Sequence, residues 1–70
     1  MVTETVGQRL RRMRKERGLS AAKLGRQIGY PANTITYWER DERLPTAIPL
    51  IDLADFYECS IDYILRGYEI

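Results

Sequence analysis

Histidine is absent from this 70-residue chain, which removes both the commonest metal ligand and the commonest general base near neutral pH. No metal-spaced cluster, no glycine-rich phosphate loop and no nucleophile–base pair takes its place, so neither an enzyme, a metal site nor a cofactor is expected. The single cysteine, Cys59, cannot form an internal disulfide, which fits a reducing cytosol. It lies in an apolar pattern, so a buried thiol is expected ahead of a redox sensor. The longest apolar run is far too short to span a bilayer and no signal-peptide pattern opens the chain, so the expected compartment is the cytoplasm. Glycine and proline are few (5 and 3) against 44% hydrophobic residues, a balance of ordinary globular chemistry and not of disorder. Strand-period alternation, repeats and linkers are also missing. One all-α domain over residues 1–70, with a core from 6 to 67, is the resulting expectation. So short a chain buries only about 60% of its unfolded surface, so each core residue counts.

The net charge of +1 conceals a split. Residues 1–43 hold ten of the eleven cations (Arg9, Arg11, Arg12, Arg14, Lys15, Arg17, Lys23, Arg26, Arg40 and Arg43) against five acids, a balance of +5. Residues 44–70 hold Arg66 against Asp52, Asp55, Glu58, Asp62 and Glu69, a balance of −4. The first half is basic enough to meet phosphate and the second would be repelled by it. Alternatively, the arginine run is a solvated helix face.

Apolar spacing and punctuation predict five helices. The first runs from about Thr5 to Arg17 on a stripe of Val6, Leu10 and Met13, with Gly18 as the left-handed stop. Ser20 caps a second helix ending at Gly29, where Ala21, Leu24, Gly25 and Ile28 recur at the spacing of one buried face. Tyr30 tucks into the core at the turn. A third helix begins near Pro31, whose fixed φ suits a first turn, and ends around Arg40–Asp41. Thr46 is the expected cap of a fourth, from about Ala47 to Tyr57, with Leu50, Leu53, Ala54 and Tyr57 inward and Pro49 tolerated in its first turn. Ser60 caps a fifth, ending at Arg66–Gly67, with Ile64 and Leu65 buried.

The stretch from about 20 to 40 carries the functional signal. It places two short helices against one another across Gly29. The second of the pair buries Ile35 and Trp38 and turns Ala32, Asn33, Thr36 and Tyr37 outward. Small polar and aromatic side chains on the exposed face of a short helix suit base edges in a major groove. Asn33 can pair bidentately with adenine, Ala32 can meet a thymine methyl, Tyr37 can pack on thymine or donate its hydroxyl, and Thr36 can do either weakly. The structural alternatives are local capping by Asn33 and Thr34, and shielding of the core edge by Tyr37.

The apolar positions, Gly29, Trp38-Glu39-Arg40 and Pro45 in register, with the closing Leu53-Ala54-Asp55-Phe56 and Ser60-Ile61-Asp62-Tyr63-Ile64-Leu65-x-Gly67, resemble the Cro/phage-repressor (Xre-like) helix-turn-helix family from about Val6 to Gly67. The resemblance implies a five-helix lambda-repressor-like DNA-binding fold and a transcriptional regulator, a repressor acting by operator occupancy on double-stranded DNA, with the third helix in the major groove. It implies base reading by Ala32, Asn33, Thr36 and Tyr37. Arg14, Ala21, Thr34 and Arg43 fall at or near positions that touch the DNA backbone. It also implies an ion pair between Arg14 and Glu39 that fixes the recognition helix while leaving Arg14 near a phosphate. A homodimer through the fifth helix and C-terminal tail (Tyr63, Tyr68 and Ile70) would place two such helices on two half-sites.

Four residues depart from the family pattern. Ala21 replaces a common glutamine, Gly25 the usual alanine, Pro31 a hydroxyl cap, and Asp41 a glycine, adding negative charge beside the phosphates. They imply weaker or more dimer-dependent binding. The alternative from another class is an antitoxin-like or regulatory protein-interaction module on the same fold.

Overall fold

The computed structural model describes residues 4–68 and contains five helices: α1 (Val6–Glu16), α2 (Ala21–Ile28), α3 (Ala32–Glu39), α4 (Ala47–Tyr57) and α5 (Ile61–Arg66). Ile70, expected at a dimer contact, lies outside the described residues.

Each boundary has a local cause. Thr5 and Gln8 form a reciprocal cap: the Thr5 hydroxyl accepts from the Gln8 N–H, and the Gln8 amide oxygen accepts from the Thr5 N–H, both at 3.0 Å. Two orphan donors at the start of α1 are satisfied in this way. Ser20 accepts from the Lys23 N–H at 3.1 Å and Ser60 from the Tyr63 N–H at 2.9 Å. Gly29, at φ +88°, ends α2 in the left-handed region, which costs glycine nothing.

Two expected starts differ in detail. Pro31 has the right φ, but its ψ of 151° is extended, so it precedes the first turn of α3 instead of joining it. Thr46 stands at the head of α4 but makes no side-chain cap bond. The physical reason is Pro49: it occupies the third helical position, whose N–H a capping side chain can accept from, and proline has none.

All five helices contribute to one core of Leu10, Met13, Leu24, Ile35, Trp38, Leu53, Ala54, Tyr57 and Ile64. Leu24, Ile35, Leu53 and Ile64 are fully enclosed; burying each contributes about 1.5–3 kcal/mol. α1 packs on α3 and α5, α2 on α3 and α4, and α4 on α5. Val6, Ile28, Tyr30 and Cys59 are half-buried against this core. Cys59 therefore supports the core's edge and is not enclosed as expected. Leu65 is corrected outright: it is 43% exposed. Ile64 points into the core, and the next residue lies about 100° round the helix.

Two glycines permit close approach. A Cβ on Gly25 would come within 2.2 Å of the Tyr30 carbonyl oxygen, so the usual alanine would collide with the turn. At Gly7, a Cβ would lie 2.5 and 2.6 Å from the carbonyl oxygens of Trp38 and Glu39. The amino end of α1 therefore abuts the carboxyl end of α3, head to tail.

Candidate nucleic-acid interface

α2 and α3 meet across Gly29-Tyr30-Pro31, and that turn is rigid. The N–H groups of Gly29 and Tyr30 both donate to the Gly25 carbonyl, at 2.8 and 2.9 Å. The Tyr30 ring meets the Trp38 ring edge-on, with centroids 5.3 Å apart, a favoured aromatic geometry. The Tyr30 hydroxyl donates to the Asp52 carboxylate at 2.6 Å, holding the turn to α4. That contact disfavours loss of the phenol proton and raises the Tyr30 pKa.

With Ile35, Trp38 and Glu39 turned inward, α3 has a definite outer side. Ala32 and Asn33 are exposed, while Thr34, Thr36 and Tyr37 are half-buried. The Thr36 hydroxyl donates back to the Asn33 carbonyl at 2.9 Å, which leaves its oxygen able to accept. No side chain caps α3, so Asn33 and Thr34 do not serve as the local caps considered above. The first N–H groups of α3 lack a side-chain acceptor, and a helix start of that kind favours an anion. Ala21 is half-buried and packs against the core; its methyl gives nothing polar to a phosphate.

Arg14 ties the unit together. Its Nε and Nη2 donate to the two Glu39 carboxylate oxygens at 2.7 and 2.8 Å, and its Nη1 donates to the Leu19 carbonyl at 2.7 Å. The Glu39 hydrogen bonds raise the Arg14 pKa against the opposing effect of burial. The pair anchors α3 to α1. Its guanidinium is nearly enclosed, with three of five donors committed within the protein and two left over.

Asp41 is also bonded within the protein. It adopts φ +61°, as a residue replacing glycine there must, but its carboxylate faces the protein. Oδ1 accepts from the Gly7 N–H at 2.8 Å and Oδ2 from the Thr5 hydroxyl at 2.5 Å. The negative charge thus lies at the positive end of α1.

The arginine run on α1 is divided: Arg9 and Arg14 are buried, Arg12 is half-buried, and Arg11, Lys15 and Arg17 are exposed. Arg9 is buried, donating to the carbonyls of Ile64 at 2.8 Å and Glu4 at 3.1 Å. Arg12 pairs with Glu4 at 2.7 Å and Glu16 at 3.2 Å and donates to the Tyr63 hydroxyl at 2.8 Å. The Arg12 hydrogen bond holds the Glu4 carboxyl below its usual range. Arg17 donates to the Tyr57 carbonyl at 3.0 Å and lies over the Phe56 and Tyr57 rings. Tyr63, expected at a dimer contact, is thereby committed within its own chain. Arg11, Lys15, Lys23, Arg26, Arg40 and Arg43 remain exposed, and among the described residues none of them is in an ion pair. Lys23 lies within α2 and Arg40 at the carboxyl end of α3; Lys23 had no sequence signal beyond its charge, and Arg40 only its place in the Trp38-Glu39-Arg40 run.

Similarity to known proteins follows the same residues. The sequence profile of the Helix-turn-helix family matches residues 10–64. The chain is 37% identical over 67 residues to repressor protein C2 of Salmonella phage P22, covering 96% of this chain and 31% of that protein. It is 36% identical over 58 residues to the HTH-type transcriptional regulator YobD of Bacillus subtilis (strain 168), covering 83% of this chain and 52% of that one. It thus spans a third to a half of the length of these relatives. Its fold superposes on the crystal structure of the P22 c2 repressor bound to a synthetic operator with a TM-score of 0.89, at 36% identity, covering 94% of this chain and all of the other. The solution structure of the P22 C2 repressor DNA-binding domain gives a TM-score of 0.85 at 37% identity, covering 96% and 88%. By profile, identity and fold alike, the chain belongs to the helix-turn-helix family.

Proposed function

We propose that the chain is a sequence-specific double-stranded DNA-binding unit of a transcriptional regulator, acting as a repressor by occupying an operator in the cytoplasm. The observation that carries this reading is the match to an operator-bound repressor at a TM-score of 0.89, together with an outward, uncapped start of α3. On this reading residues 1–70 act as one unit, and α3 enters the major groove. Ala32, Asn33 and Thr36 meet base edges, Asn33 by its carboxamide on adenine. Thr34 and Arg43 meet the backbone, the Ala21 position contributes main chain only, and Arg14 acts indirectly by holding Glu39.

A single unit covers too little DNA for useful specificity, so two copies on two half-sites are part of the proposal. Ile61, Leu65 and Tyr68 on and after α5 are exposed and offer the apolar edge such a pair needs. The acidic half of the chain would then lie away from the phosphates.

Selection from a random duplex pool at two salt concentrations tests the proposal. The expected result is enrichment of a palindromic site, lost on Asn33→Ala, with affinity falling steeply as salt rises. Sequence-blind binding, or none by a folded protein, would overturn it in favour of a protein-interaction module.

A further inference from the structure

The loop after α3 is fastened to one residue. The Tyr37 carbonyl accepts from the N–H groups of Glu42 at 3.0 Å and Arg43 at 3.3 Å. The Arg43 guanidinium carbon lies 4.8 Å from the centroid of the Tyr37 ring. Tyr37 therefore holds both the main chain and the side chain of Arg43, while Arg43 itself is exposed and, among the described residues, in no ion pair. Just before it, Asp41 fixes the same loop to the start of α1, and just after it Pro45 is buried. The loop is ordered from both sides of Arg43.

A guanidinium over a ring face is held there by cation–π attraction, and among the described residues none of the Arg43 side-chain donors makes a hydrogen bond within the protein. The contact leaves the five donors available and reduces the freedom the side chain would lose on binding. Conversely, a ring with a cation over one face is poorly placed to lay that face on a base. Tyr37, considered above as a base reader, and Arg43, considered as a separate backbone contact, thus form one unit.

We propose that Tyr37 is the positioning residue for Arg43, and that Arg43, presented on its ring, clamps a DNA phosphate beside the α3 groove. This rests on the DNA-binding reading above. Arg43 supplies the charge-assisted, two-pronged contact that suits phosphate. Tyr37 supplies orientation, and its hydroxyl is not used.

The test combines a double-mutant cycle on the selected duplex with NMR of the DNA-free protein. Arg43→Ala is expected to lower affinity on the order of 10-fold and to reduce the slope of log affinity against log salt by about one. Tyr37→Leu is expected to lower affinity about 3-fold and to flatten the same slope, with the selected sequence unchanged. The double variant should be no weaker than Arg43→Ala alone, and Tyr37→Phe should match wild type. In the DNA-free protein the Arg43 side-chain protons should be shifted upfield by the ring, an effect kept in Tyr37→Phe and lost in Tyr37→Leu. Additive losses, a changed site preference in Tyr37→Phe, or no ring-dependent shift would overturn the pairing while leaving DNA binding intact. A folded wild-type protein that ignores duplex DNA would overturn both.

Discussion

The Arg14 guanidinium and the Glu39 carboxylate face each other as a planar pair at 2.7 and 2.8 Å, buried between α1 and the last turn of α3. A buried pair of this kind adds little net stability over an apolar replacement, but removing one member strands a charge. Glu39→Ala should therefore cost about 3–5 kcal/mol, a large part of what so small a domain has. The joint replacement Arg14→Met with Glu39→Leu should cost far less. Urea unfolding checks both, and a Glu39→Ala loss within 0.5 kcal/mol would contradict the structural role given to the pair.

At Gly25, local propensity and packing point in opposite directions. Alanine is favoured over glycine inside a helix by about 1 kcal/mol, yet its Cβ would meet the Tyr30 carbonyl oxygen at 2.2 Å. Backbone cannot yield as a flexible side chain can, so Gly25→Ala should destabilise by about 1–3 kcal/mol. A raised unfolding midpoint in urea would show that the turn relaxes freely.

Asp41 combines an unfavourable backbone conformation with two favourable side-chain bonds. Asp41→Gly removes both the strain and the bonds, whereas Asp41→Ala keeps a Cβ at positive φ and loses the bonds. The expected order of thermal stability is wild type, then Gly, then Ala, with Ala lower by about 1–3 kcal/mol. Finding the glycine variant above wild type would mean that the bonds to Thr5 and Gly7 contribute nothing net.

The Tyr57 hydroxyl is buried and, among the described residues, lacks a hydrogen-bond partner. Burial foremost, then the nearby Glu39 charge, pushes its pKa up to about 12. A raised pKa for an acid means the neutral form is favoured by folding. The corresponding stability is fully present below the unfolded value near 10 and is lost as pH rises toward 12. Tyr57→Phe should be neutral or slightly stabilising at pH 7, since it removes an orphan polar atom, and should blunt the alkaline loss of stability. Thermal unfolding at pH 7 and pH 11 distinguishes this from a hydroxyl with an essential role, whose loss would lower the midpoint at both.

Periodicity made most of the core legible, because Leu10 and Met13, Ile35 and Trp38, and Leu53 and Tyr57 recur at helical spacing within their own helices, and short-range caps such as Ser20 and Ser60 carry local signals. Arg9 shows where that legibility ends. On its own helix it looks like one more surface cation, and its burial is decided by the Ile64 carbonyl 55 residues along the chain. Asp41 is similar: its left-handed backbone was readable from position, but the direction of its carboxylate depends on Thr5 and Gly7, 36 and 34 residues back along the chain. In the candidate interface the outward placement of Ala32 and Asn33 follows from helix geometry alone. The stacking of Arg43 on Tyr37 does not, because a loop has no period to read.

An NMR titration of the folded chain with its selected duplex tests the central claim most directly. The account predicts that amides from Ala32 to Tyr37 and of Arg43 shift strongly, that the outer faces of α4 and α5 respond only where two copies meet, and that added salt reverses the shifts. Shifts confined to α4 and α5, or none at duplex concentrations that saturate other members of the family, would contradict the assignment of α3 as the DNA-reading helix.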